Sequence, residues 1–180
     1  TRKLFDLAKK YGIKQTIVLS TYFVYGASPY NPSLLDEKTP LKASELTMDL
    51  VDSVELENLA NIYLYKYPEL NITILRPCNI AGPGVRNTFS QLLSEKRAPV
   101  LWGFSPLMQF IHIDDMQEAI CTAYKQNKPG VYNIAPADYI AFQDAVKEAG
   151  CSTIQIPSIP PSLTDRIARM LNWKTLPPFL

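Results

Sequence analysis

The chain is 180 residues long, 47% hydrophobic and nearly neutral, with 18 Lys and Arg against 17 Asp and Glu. That is enough apolar material for one sizeable core. No basic run exceeds a pair such as Lys96-Arg97, so no electrostatic footprint for nucleic acid is present, and no stretch reaches the roughly 20 continuous apolar residues of a membrane helix.

Cys78, Cys121 and Cys151 are widely spaced and odd in number. They argue against a disulfide framework or a metal site and for small buried hydrophobes in a reducing, cytoplasmic setting. The chain opens at Thr1 directly in a helical pattern and closes on apolar Leu176-Pro177-Pro178-Phe179-Leu180, so it reads as a fragment.

Leu4, Leu7, Ala8 and Tyr11 follow the spacing of a helix lying on a sheet, with Gly12 as its stop. Thr16-Ile17-Val18-Leu19 is a short β-branched strand that ends at Ser20-Thr21, and a Pro- and Ser-rich loop follows from Ala27 to Lys42. A long helix is expected from Met48 to Tyr67, with Leu56, Leu59, Ala60, Tyr63, Leu64 and Tyr67 on one side and Pro68 ending it. Ile72 to Leu75 is the next strand, and a Pro/Gly turn runs from Pro77 to Gly84.

Val85, Phe89, Leu92 and Leu93 indicate a third helix, Val100 to Trp102 an edge strand, and Phe110 to Ile113 another strand. Asp114 is expected to cap the helix whose apolar face is Met116, Ala119, Ile120, Ala123 and Tyr124, with Gln117 completing the capping box. Gly130 to Ala135 is a strand, Phe142 to Ala149 a helix, Ile154 to Ile156 a last strand and Leu163 to Asn172 a last helix. Strands separated by helices in this order predict an α/β fold with a mostly parallel sheet. No Gly-x-Gly-x-x-Gly turn occurs; Gly82-Pro83-Gly84 is the nearest approach.

Four segments, in order, carry a family likeness: Leu19-Ser20-Thr21-Tyr22-Phe23-Val24-Tyr25-Gly26, Leu75-Arg76-Pro77-Cys78-Asn79-Ile80-Ala81-Gly82-Pro83-Gly84, Phe110-Ile111-His112-Ile113-Asp114-Asp115 and Val131-Tyr132-Asn133-Ile134-Ala135. Together they resemble the extended short-chain dehydrogenase/reductase family, of the NAD-dependent epimerase/dehydratase type. The resemblance implies a Rossmann-like domain that binds NAD or NADP, with a small C-terminal lobe over a small-molecule substrate. It gives residues 1–140 to the C-terminal part of that domain and 141–180 to the lobe. The glycine-rich half that holds the dinucleotide, on the order of 90 residues at about 30 per βαβ unit, is not in this sequence.

Position by position, the resemblance puts Thr21 at a hydroxyl that bonds substrate; the alternative is a strand-end hydroxyl serving local backbone. Ser20 and Pro77 fall at the cofactor. Asn79 falls where a side chain faces substrate, or else bonds its own turn. His112, the only histidine, reads as a structural hydrogen-bonder.

Three positions depart from the pattern. The family's Tyr, helped by a Lys four residues on that favours phenolate and holds the cofactor ribose, belongs in the long helix. There the sequence reads Met48-Asp49-Leu50-Val51-Asp52-Ser53-Val54-Glu55-Leu56-Glu57, which puts Asp49 at the Tyr position and Ser53 at the Lys position. An Asp needs strong desolvation to act near neutral pH, and a Ser supplies no charge. Met108 stands where relatives often place an Arg against a diphosphate, which a thioether cannot neutralise. Two functions remain open: an NAD(P)-dependent epimerase/dehydratase-like enzyme with replaced catalytic groups, or a non-catalytic dinucleotide sensor or partner-binding module. The long helix resembles one that relatives use to form homodimers.

Overall fold

A computed structural model describes residues 1–26, 31–32, 34–42 and 48–157, the side chains of 48–50 apart. The chain divides into two compact units. The first is Thr1–Ile80 with Phe110–Pro136, and the second is Ala81–Gln109 with the chain from Ala137 onward.

The first unit opens with α1 (Arg2–Lys10), which ends at Tyr11 before Gly12 in left-handed backbone at φ 66°. Strand β1 (Thr16–Leu19) leads into a 3₁₀ turn, Tyr22–Tyr25. Helix α2 (Met48–Lys66) stops where Tyr67, at φ −133° and ψ 72°, is held out of helical backbone by Pro68. Strand β2 (Ile72–Pro77) follows, then the short β3 (Asn79–Ala81).

Strand β6 (Phe110–His112) pairs with β3, helix α4 spans Ile113–Gln126, and β7 (Gly130–Ile134) completes a parallel sheet in the order β1-β2-β7. All six residues of β2 are buried because it is the central strand, covered on both faces. Alternation sends Ile72 and Ile74 to a cluster with Phe5, Ala8, Val18, Ala60 and Tyr63, and Leu75 to another with Ile111 and Met116. The Phe5 and Tyr63 rings stack with centroids 5.0 Å apart, joining α1 to α2.

The second unit holds α3 (Thr88–Ser94), β4 (Arg97–Leu101), β5 (Leu107–Met108), β8 (Ile140–Ala141), α5 (Phe142–Glu148) and β9 (Ser152–Ile156). β4 and β9 are parallel, and β5 and β8 antiparallel. These pairings explain why 81–109, inside the stretch that the resemblance gives to the dinucleotide domain, pack with the chain from Ala137 on: β4 and β5 find their ladder partners there. Asn87 and Ser90 form a reciprocal capping box on α3. Phe89 and Phe142 meet edge-on at 6.4 Å.

Among the described residues the expected helices and strands are present, with ends shifted by at most three residues. Two expectations are corrected. The stretch from Pro77 to Gly84, read as a Pro/Gly turn, contains the last residue of β2 and all of β3. The residue that caps α4 is His112, whose Nδ1 accepts from the Asp114 amide at 3.3 Å, and not Asp114. The helix starts one residue before Asp114, which leaves both Asp114 and Asp115 in the first turn, favourable to the helix dipole. The helix expected at Leu163 to Asn172 lies outside the described residues.

Candidate functional site

In a parallel sheet the crevice beyond the carboxyl ends of the strands is where ligands bind. At that edge Ser20 extends the β1 ladder, its amide donating to the Leu75 carbonyl at 2.8 Å. Thr21 is extended and caps the 3₁₀ turn, its Oγ1 accepting from the Phe23 amide at 3.3 Å. Thr21 therefore does serve local backbone, and its own hydroxyl proton is not used by that bond. On the neighbouring strand, Pro77 is the buried last residue of β2, opposite Ile134, and the Cys78 amide donates to the Ile134 carbonyl. Asn79 begins β3 and is buried. Ser20, Thr21 and Pro77 are thus brought to one edge of the parallel sheet, and Asn79, in the separate β3–β6 ladder, stands two residues beyond the end of β2.

Behind that edge lies a buried polar network. Glu57 is 0% and Arg76 3% exposed. The Glu57 carboxylate accepts from Arg76 Nε at 2.6 Å, from Arg76 Nη2 and from the Ser20 hydroxyl. Arg76 Nη1 donates to Tyr25 Oη at 2.6 Å and to the Glu37 carbonyl at 3.2 Å. Tyr25 Oη in turn donates to Asn133 Oδ1 at 2.6 Å. Asn133 donates through its amide nitrogen to Glu37 Oε1 and through Nδ2 to the Leu35 carbonyl. Burial works against the Arg76 cation, but its bonds to Glu57 and Tyr25 outweigh that and raise its pKa further. Charges this deep persist because each is paired and hydrogen-bonded. The network holds β1, α2, β2 and β7 in register behind the crevice, and Ser20 spends its proton on Glu57.

Nearer the surface Tyr22 Oη donates to Asn79 Oδ1 at 3.1 Å, and its ring leans on Phe23 with centroids 4.3 Å apart. Burial pushes the Tyr22 phenol well above the usual tyrosine value, with the Asn79 bond offsetting only part of it. The Cys78 thiol is likewise pushed up by burial, to about 11, so it is not a nucleophile at neutral pH.

Ser53 is half-buried one turn before Glu57, on the same helix face, and neighbouring Val54 packs on Val24 of the 3₁₀ turn. That turn of α2 therefore lies against the end of β1. Asp49 is one turn earlier in α2, and its side chain lies outside the described residues. Met108 belongs to the second unit, half-buried in β5 opposite Ile140. Among the described residues no group of three or more His, Cys, Asp or Glu could hold a metal ion, and no helix is long and apolar enough to cross a membrane.

A sequence model of the NAD dependent epimerase/dehydratase family matches residues 1–135. The chain belongs to that family. An uncharacterized protein of Mycobacterium tuberculosis is 25% identical over 91% of this chain and 44% of its own length. One of Sinorhizobium fredii is 24% identical over 99% and 46%. The chain thus spans about half the length of these curated relatives.

Among solved structures, dTDP-glucose 4,6-dehydratase from Bacillus anthracis, in complex with NAD, superposes with a TM-score of 0.72 at 19% identity, covering 96% of this chain and 60% of that one. UDP-glucuronic acid 4-epimerase from Bacillus cereus, in complex with UDP-glucuronic acid and NAD, gives 0.70 at 23%, covering 88% and 54%. At these identities the likeness is one of fold, and it makes the sheet of the first unit part of a Rossmann-like fold.

The Tyr-x-x-x-Lys spacing that the resemblance implies occurs once in the chain, at Tyr124 and Lys128, outside the long helix. It sits at the wrong end of the sheet. The Tyr124 carbonyl accepts from Gln15, just ahead of β1, and the Lys128 carbonyl accepts from Thr73 near the start of β2. Both therefore lie at the amino edge, opposite Thr21, and the Tyr124 side chain is 67% exposed. Ring contacts between lysines and tyrosines, Lys9 and Lys66 on Tyr67 and Lys10 on Tyr11, involve the end of α2 that leads into β2 and the end of α1 that leads into β1. In α2 itself the single lysine is Lys66, in the last turn.

Proposed function

We propose that this chain is the substrate-side portion of an NAD(P)-dependent epimerase/dehydratase-like protein acting on a sugar nucleotide or a comparable small molecule, with Asp49 and Ser53 in place of the Tyr-Lys pair. The observation that carries the reading is the collection of Thr21 and Pro77 at the carboxyl edge of one parallel sheet, with Asn79 two residues beyond the end of β2, backed by the Ser20–Glu57–Arg76 network. NAD(P), when bound, supplies a hydride acceptor. Pro77 and the backbone from Ser20 would meet its nicotinamide end, while Thr21 donates its proton to a substrate oxygen and Asn79 orients the same substrate. On this reading residues 1–140 belong chiefly to the dinucleotide domain and the chain from 141 on to the substrate lobe. A homodimer is part of it, since Ile62 and Tyr65 on α2 are 56% and 81% exposed.

The test uses the full-length native chain with NAD and with NADP, followed by NADH or NADPH absorbance and product analysis across UDP-glucose, dTDP-glucose and UDP-glucuronic acid. Turnover lost by a factor of about 100 or more in Asp49→Asn, with folding intact, supports the reading.

The second reading is a non-catalytic dinucleotide sensor or partner-binding module, favoured by the lack of any lysine in α2 before Lys66. Binding of cofactor and sugar nucleotide with no turnover anywhere in the panel establishes it instead.

A further inference from the structure

The amino edge of the parallel sheet, opposite the candidate site, gathers two stretches that are distant in the chain. Gln15, just ahead of β1, donates through Nε2 to the Ala123 and Tyr124 carbonyls, both at 3.1 Å. That clamp sets the turn after α1 beside the last turn of α4. The turn after α4 is held to the same edge by the Thr73 hydroxyl, which donates to the Lys128 carbonyl at 2.9 Å. Lys9 to Gln15 and Ala123 to Gly130 together hold five lysines and no Asp, Glu or Arg, in a chain whose net charge is +1. Lys9 is spent on the Tyr67 ring, with Nζ 3.8 Å from its centroid. Lys10, Lys14, Lys125 and Lys128 are exposed. Among them stand three apolar tips, Tyr11 at 71%, Ile13 at 48% and Tyr124 at 67% exposure.

Helix dipoles account for only part of this. Lys10 and Lys125 sit in the last turns of α1 and α4, where a cation offsets the carbonyl end, but Lys14 and Lys128 lie beyond both helices. The end of α2 and the turn before β2 add exposed Lys66 and Glu69, whose charges cancel. With lysines and no arginine, the two stretches lack the planar fork that grips individual phosphates of a nucleic acid, and Ile13 has no role on such a ligand. The tips are separated by lysines rather than joined in a stripe, so they present no continuous apolar face to a partner helix. Dispersed phenol and aliphatic tips among lysines match a layer of anionic headgroups, which rings and alkyl groups enter while ammonium groups stay in water.

We propose that the amino edge of the first unit docks on an anionic lipid surface. Attachment of this kind lies on the bilayer and needs no crossing helix. It stands independently of the function proposed above, and it turns the carboxyl edge of the sheet toward water.

The experiment mixes the full-length native protein with vesicles of phosphatidylcholine alone and with vesicles carrying about 30% phosphatidylserine, and measures the fraction that sediments with them. Sedimentation with the anionic vesicles only, lost at about 0.5 M salt, is the expected result. Lys14→Gln with Lys128→Gln should weaken it about 25-fold, at about fivefold for each lysine. Tyr11→Ser with Tyr124→Ser should weaken it while leaving the salt dependence unchanged. Equal binding to both vesicle types, no binding to either, or undiminished binding in the lysine variant overturns the proposal. Tighter binding to a single-stranded oligonucleotide or to polyglutamate than to the anionic vesicles overturns the lipid assignment and puts a polyanion in its place. A loss of oligomer mass in the lysine variant marks the edge as a contact between copies, which also overturns it. Should a variant fail to fold, the wild-type comparison of the two vesicle compositions decides alone.

Discussion

The two units close their interiors with different chemistry. The first buries opposite charges: Glu57 and Arg76, with Ser20, Tyr25 and Asn133, sit where the parallel sheet meets α2. The second closes on rings and backbone, with Phe89 against Phe142 and the Cys151 thiol donating to the Leu93 and Glu95 carbonyls at 3.0 Å. Ionic burial adds little net stability but demands one geometry, since any displacement leaves a charge unpaired. Apolar packing tolerates adjustment. The contrast explains why the candidate site lies at the end of the ionic core: Ser20 and Thr21 inherit a position that Glu57 and Arg76 enforce.

The largest effect is expected from Glu57→Ala, which leaves the Arg76 cation buried without its partner and should cost about 3–5 kcal/mol in denaturant unfolding. Pairing Glu57→Leu with Arg76→Met should recover most of that loss, because the penalty comes from an uncompensated charge. A double variant as unstable as the single would break the contrast, by making the ion pair itself the source of stability.

Phe142→Ala in the second unit is expected to cost about 3 kcal/mol by cavity formation, since Phe142 is buried to 1% exposure. A loss under about 1 kcal/mol would mean that this core collapses around the gap.

The smallest effect is on pH dependence. Cys78 is pushed up in the fold from an ordinary 9.0 to about 11, and Tyr22 is raised from 10.0. The folded chain therefore binds these protons more tightly than the unfolded chain. Their contribution is complete below pH 9, and it falls as pH rises toward 11 and beyond. Melting temperature across that range should decline less in Cys78→Ala than in the wild type. In native protein near pH 8 a thiol reagent should modify exposed Cys121 first and reach buried Cys78 and Cys151 only on unfolding.

Much of the fold was legible in the sequence. The stripe Leu56, Leu59, Ala60, Tyr63, Leu64 and Tyr67 does face the core, and Pro68 does end its helix. The four motif segments led to the family. The cap of α4 was misplaced by two residues because a histidine nitrogen accepts an amide as an aspartate does. The pairs β5 with β8 and β4 with β9 were not legible, since their partners lie more than thirty residues apart in the chain.

What the sequence determined by itself was the set of elements and the family, because periodicity, prolines and ordered motifs are local properties that survive without knowledge of contacts. Only the tertiary structure decided that Glu57 faces Ser20 and Arg76, that Tyr22 meets Asn79, and that Tyr124 and Lys128 lie at the wrong end of the sheet. Each of those depends on which end of which strand a side chain reaches. That is settled by the direction and register of strands paired across the fold, and no local spacing encodes it.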